Sequence, residues 1–115
     1  MRKAFIMALL AILLIMTACT KDPLSPSVTV EYKVTGTAET VDIDYIDANG
    51  KLAIINNVEL PWSLTFTADK GDTVFISAQR TGDTGTVTVT IYSNGNVLAE
   101  DTSTGSAAAE AEGTL

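Results

Sequence analysis

From Val28 onward, apolar and polar side chains alternate with a period of two. Val28, Val30, Tyr32 and Val34 are separated by Thr29, Glu31 and Lys33, and Val41, Ile43 and Tyr45 by Asp42 and Asp44. Trp62, Leu64 and Phe66 alternate with Ser63 and Thr65, Val74, Ile76 and Ala78 with Phe75 and Ser77, and Val87, Val89 and Ile91 with Thr88 and Thr90. Successive side chains of a strand point to opposite faces, so each run reads as a strand with one buried and one wet face. Most of these residues are β-branched or aromatic, which suits a pleated, half-buried surface. No stretch after residue 27 places its apolar residues at helical spacing.

The interruptions agree with this pattern. Asn49-Gly50 and Asn94-Gly95 read as type I′ hairpin turns, in which both central residues take positive φ. Asp69-Lys70-Gly71-Asp72 and Thr81-Gly82-Asp83-Thr84-Gly85 supply further turns. Strands are therefore predicted near 28–36, 39–47, 51–58, 62–68, 72–80, 85–93, 96–102 and 106–112. Seven or eight short strands at this spacing predict an all-β fold, an antiparallel two-sheet β-sandwich of the immunoglobulin-like or transthyretin-like kind. Trp62 is the largest apolar residue and is expected in the core, where its truncation to Ala would cost about 3–5 kcal/mol.

The N-terminus differs. Met1-Arg2-Lys3 is a basic head, followed by 13 apolar residues from Ala4 to Met16 and then by Thr17-Ala18-Cys19. This is the layout of a secretory signal peptide, and the apolar run is shorter than the ~20 residues a membrane-spanning helix needs. Met16-Thr17-Ala18-Cys19 resembles the bacterial lipobox, in which the signal is cut before a cysteine that carries diacylglycerol and often a further acyl chain. Two or more acyl chains anchor a protein stably where one does not. The expected organisation is a lipoprotein signal-peptide helix over 1–18, lipidated Cys19 and a tether stiffened by Pro23 and Pro26 over 19–27, and the sandwich over 28–115. Thr20 is not the Asp that holds many lipoproteins at the inner membrane, which in a two-membrane envelope points to the outer one.

Losing the first 18 of 115 residues leaves 97, enough for one domain with one modest core. Arg2 and Lys3 leave with the signal, so 5 basic residues face 14 acidic ones and the net charge becomes −9. Such a surface repels phosphate backbones, and no nucleic acid partner is expected. Cys19 is the single cysteine, so no internal disulfide can form.

Catalytic chemistry is sparsely represented. The chain contains no histidine, which removes Ser-His and Cys-His nucleophiles, histidine-ligated zinc and the commonest general base. Glycines occur singly, at turns, and not as a phosphate-binding loop. The residual candidates are Asp42, Asp44 and Asp47 with Asn49 nearby, hard oxygen donors suited to Ca²⁺ but without the spacing of an EF-hand loop. A solvated strand face followed by a turn accounts for them better, and a paired-carboxylate glycosidase would need a cleft that a small sandwich offers poorly. No cofactor is expected beyond the lipid on Cys19, and no enzymatic activity. Tyr92 and Phe75, out of phase with Ile91 and Ile76, are either contact residues or belong to a second buried layer or an edge strand.

Val30-Glu31-Tyr32-Lys33-Val34-Thr35-Gly36 resembles the V-x-Y-x-V-x-G opening of the mycobacterial membrane protein small (MmpS) family. Asp44 to Gly50 is similar to that family's second strand and turn, Leu60-Pro61-Trp62-Ser63 to its L-P-W-S element, and Ala78-Gln79 and Ile91 to Gly95 follow in family order. The resemblance implies an extracytoplasmic β-sandwich, accessory to a lipid-exporting transporter of the resistance-nodulation-division type and not itself catalytic. The chain departs from the family in two places. Relatives are usually held by an uncleaved helix, and they often carry a cysteine where this chain has Val89. The expected partners are thus the membrane, through the lipid anchor, and an envelope transporter. The alternative is a surface module that binds an extracellular ligand, glycan or host protein.

Overall fold

Eight strands form where the alternation places them: β1 (Ser27–Thr35), β2 (Thr40–Ile46), β3 (Leu52–Glu59), β4 (Trp62–Asp69), β5 (Thr73–Arg80), β6 (Val87–Ser93), β7 (Asn96–Ser103) and β8 (Ala109–Thr114). The computed structural model describes residues 26–115; the expected signal peptide, Cys19 and most of the expected tether lie outside the described residues. The strands make two four-stranded antiparallel sheets, ordered β4-β1-β6-β7 and β3-β2-β5-β8. Contacts between β7 and β8 close one side of the sandwich, so β3 and β4 edge the other.

The inward phase of each strand is the apolar one. Val30, Tyr32 and Val34 of β1, Val41 and Ile43 of β2, Ile76 and Ala78 of β5, and Val89 and Ile91 of β6 are fully buried. Burying such a side chain stabilises by about 1.5–3 kcal/mol, so these residues supply the main force joining the sheets. Trp62 departs from expectation. It shares the inward phase of Leu64 and Phe66, but β4 is an edge strand and all three are only half-buried, packed against the margin of the core. The fully buried aromatic residue is Tyr32, on the neighbouring strand.

Two local expectations are corrected. Asn94 and Gly95 both take positive φ (49° and 86°), as a type I′ turn requires, whereas of Asn49 and Gly50 only the glycine does (78°). The β2–β3 hairpin instead closes through Asp47 N–H to Lys51 O (2.8 Å) and Gly50 N–H to Asp47 O (3.0 Å), a type I turn followed by a left-handed glycine. The Asp47 carboxylate decides this, since its Oδ1 accepts from the N–H groups of both Asn49 and Lys51. The eighth strand starts at Ala109 and not near 106, because Ser103 Oγ donates to Ala107 O (2.6 Å) and holds the intervening residues in a bend.

One pole gathers the point where the tether enters. Lys70 N–H donates to Pro26 O, Gly71 N–H to Leu115 O, Leu115 N–H to Asp72 O, and Asn94 N–H to Thr29 O. At the opposite pole, Thr37 and Ala38 N–H both reach Thr86 O at 3.1 Å. Gly36 lies against this clasp with φ of 141°, and a Cβ there would fall 2.1 Å from Thr86 O. Gly36→Ala is therefore expected to destabilise the domain by about 2–3 kcal/mol or more in chemical denaturation. Gly82→Ala, at a site with open space around the Cβ, should stay within about 0.5 kcal/mol of the parent.

Candidate functional site

The β2–β5 ladder runs from Val41↔Arg80 to Tyr45↔Ile76 and stops there. The next rung would join Ile46 O to Phe75 N–H. Tyr32 replaces it: its side chain crosses the core from the other sheet, its hydroxyl donates to Ile46 O at 2.6 Å and accepts from Phe75 N–H at 3.3 Å. A buried phenol needs such partners, because an unpaired polar group in the core costs about 1–3 kcal/mol. Burial pushes the Tyr32 hydroxyl up to about 12 from its ordinary 10, offset in part by the Phe75 N–H and reinforced by the Asp47 carboxylate. The ring meets Phe66 and Tyr45 edge-on, at centroid distances of 5.1 and 5.7 Å, and Tyr45 lies 5.8 Å from Trp62. These four aromatic side chains link the two sheets on the β3/β4 side.

Beyond the replaced rung the sandwich opens into a cleft of about 410 Å³ at the pole where the tether enters. Ile46, Phe66, Ala68 and Val74 form its apolar walls, and Asp47, Asn49 and Asp72 contribute polar groups. Both carboxylates already serve the backbone, Asp47 in its turn and Asp72 through Asp69 N–H. The cleft is open and small, and Thr73 is the one hydroxyl-bearing residue among those that line it.

The candidate carboxylates are dispersed. Asp42 and Asp44 share the outer face of β2, as expected, while Asp47 belongs to the following turn. Five residues of extended chain put Asp42 and Asp47 roughly 16 Å apart. Asp42 Oδ1 accepts from Asn57 N–H (3.0 Å), capping a residue of positive φ (57°) opposite the register shift between Val41 and Ile43. Among the described residues, no three side chains of the types His, Cys, Asp and Glu are placed to hold a metal ion. Phe75 and Tyr92 lie half-buried on outer faces, beside Glu112 and between Glu31 and Val97 respectively. Both sit on interior strands, so neither occupies an edge-strand position.

Two features go beyond the alternation pattern. Tyr32 is legible as core, and its hydroxyl demands a partner, but alternation alone does not say which. Leu52 and Ile54 are 59% and 63% exposed although they are large and apolar. Their signal is present in the chain, since they sit two apart on one strand and opposite Asp44 and Ile46, the wet phase of β2.

A family model described as Mycobacterium membrane protein matches residues 10–111, nearly the whole sandwich. The chain is also similar to the probable transport accessory protein MmpS5 of Mycobacterium bovis, at 40% identity over 85 residues, 73% of this chain and 58% of that protein. The same figures relate it to the siderophore export accessory protein MmpS5 of Mycobacterium tuberculosis strain H37Rv. The chain thus spans under two thirds of the length of these curated relatives.

Tyr32→Phe keeps the ring but strands Ile46 O and Phe75 N–H, and should cost about 1–3 kcal/mol in urea denaturation. Because the folded state raises the Tyr32 value from 10 to about 12, the neutral hydroxyl's contribution is intact below pH 10 and lost as pH climbs toward 12. In a phenolate absorbance titration, one of the three tyrosines should ionise near pH 12, and that step should vanish in Tyr32→Phe.

Proposed function

Since the chain belongs to the Mycobacterium membrane protein family, we propose that it is a non-catalytic accessory subunit of an envelope exporter, held at the membrane by lipid on Cys19. The observation that carries this reading is the family match across residues 10–111, which takes in the sandwich almost entirely. Relatives named as a transport accessory and a siderophore export accessory protein support a membrane transporter as the partner; in this reading it is of the resistance-nodulation-division type and moves a siderophore, a lipid or another small molecule.

The chemistry of the described domain is consistent with an accessory role. Asp42, Asp47 and Asp72 spend carboxylate oxygens on backbone N–H groups. Tyr32 is locked between two strands with its proton held more tightly than usual. These groups support the fold, and none is poised to attack a substrate. The domain's work in this reading is to dock, with the lipid and the tether setting its height above the bilayer. An outer-membrane address follows from Thr20 where the envelope has two membranes.

Two experiments test the parts separately. Crosslinking of the tagged full-length protein in native membranes, followed by mass spectrometry, should recover a large transporter. Recovery should be lost when an unrelated sandwich replaces the domain on the same anchor. Finding only abundant lipoproteins would sink the accessory reading and favour a free-standing surface module for an extracellular ligand. For the anchor, Cys19→Ala should abolish metabolic labelling with palmitate and move the protein out of the mature membrane-bound form. Undiminished labelling would rule out Cys19 as the lipid site.

A further inference from the structure

Four strands lie at sheet edges, and their surroundings differ. On the closed side, Glu110 N–H of β8 donates to Asp101 Oδ2 of β7, and Leu98 lies over Gly113, within 2.8 Å of where a Cβ would be. On the open side, β4 turns Ser63, Thr65 and Thr67 outward, all small and polar. β3 alone combines an open edge with large exposed apolar side chains, Leu52 and Ile54.

The phase of β3 makes these two residues doubly exposed. Asp47 N–H donates to Lys51 O, so 47/51 is a hydrogen-bonded pair. Such pairs alternate along an antiparallel ladder. Tyr45↔Ala53 and Ile43↔Ile55 are then the bonded pairs that follow, while Asp44↔Ile54 and Ile46↔Leu52 are unbonded pairs. Leu52 and Ile54 therefore direct N–H and C=O away from β2, toward the open edge. Tyr32 gives an independent check, because it finds Ile46 O pointing away from β3, toward β5, as this phase requires. Farther along, Asn57 with its positive φ and the Asp42 cap break the flat edge, which confines the free stretch to residues 52–55.

Charge selects the occupant. The outer face of this sheet carries Asp42, Asp44, Glu110 and Glu112 and no lysine or arginine from its strands, Arg80 lying in the inward phase of β5. A second copy would bring the same acidic face alongside, whereas a basic strand would be attracted. We infer that residues 52–55 of β3 are a docking edge that accepts a strand from a partner protein, one carrying Lys or Arg beside apolar side chains. The partner strand pairs with the backbone of Leu52 and Ile54 and covers their side chains. This rests on the accessory reading above insofar as the partner is a protein of the envelope.

The test places the photoreactive residue benzoylphenylalanine at position 52 of the full-length chain in native membranes, with position 65 on β4 as a control. An adduct at 52 and not at 65, whose crosslinked partner peptide alternates apolar residues with Lys or Arg, is expected. Its yield should fall severalfold between 50 and 500 mM salt, in line with the shortening range of charge attraction. Ile54→Pro, which removes an N–H that no strand among the described residues uses, should lower the yield at least tenfold without shifting the melting temperature. If that variant melts early, Ile54→Lys is the replacement, which keeps the backbone and repels a basic partner. A self-adduct, a lipid adduct or equal yields at 52 and 65 would overturn the docking edge. A transporter recovered in the pull-down but indifferent to Ile54→Pro and Ile54→Lys would refute this edge while leaving the accessory role standing. Loss of the transporter from the pull-down altogether would remove the accessory role as well.

Discussion

Apolar burial holds two sheets together without fixing where one sits against the other. The Tyr32 hydroxyl supplies that registration. It reaches from β1 into the gap between β2 and β5 and takes the place of a main-chain rung, giving to Ile46 O and receiving from Phe75 N–H. Everything nearby is arranged around this substitution. The cleft begins where the ladder stops. The Phe66 and Tyr45 rings meet Tyr32 edge-on, and Trp62 continues the contact from Tyr45 toward the open side. The direction of Ile46 O also sets the phase of β2, and through it the phase of β3, whose outer residues face solvent with both side chain and backbone.

This linkage also replaces a covalent brace. The domain holds no cysteine, and Val89 is fully buried on β6. Packing and a few directional bonds must supply in the folded state the stability that a disulfide would give by restricting the unfolded ensemble. Tyr32 is suited to that task because the same ring supplies apolar area, edge-on aromatic contacts and a polar tip.

Alternation made the strands legible, with boundaries within two residues for seven of the eight, because a period of two in β-branched residues is the mark of a chain with one face buried and one wet. What alternation could not convey is which strand neighbours which. Trp62, Leu64 and Phe66 have the pattern of a core strand, yet β4 borders solvent and they are half-buried. Phe75 and Tyr92 broke the pattern on interior strands for the converse reason: an outer face can shelter a large ring between its neighbours. Asn49 shows the limit of turn statistics, because the Asp47 side chain, two residues earlier, captured the backbone first. The carboxylates Asp42 and Asp44 were placed correctly on a wet face, but the backbone cap made by Asp42 depended on a bulge that no local pattern announces.

Pro26 and Leu115 bond to the same β4–β5 turn, through Lys70 and Gly71. The domain is therefore a closed loop in all but covalent connection, and a bridge of a few residues would join the two positions. New ends could then be opened in the Thr81–Gly85 turn at the far pole, giving a circular permutant that keeps every strand and its register. In such a permutant the proposed anchor, attached at the far pole, would leave the Asp47 and Asp72 cleft at the end of the sandwich remote from the attachment point.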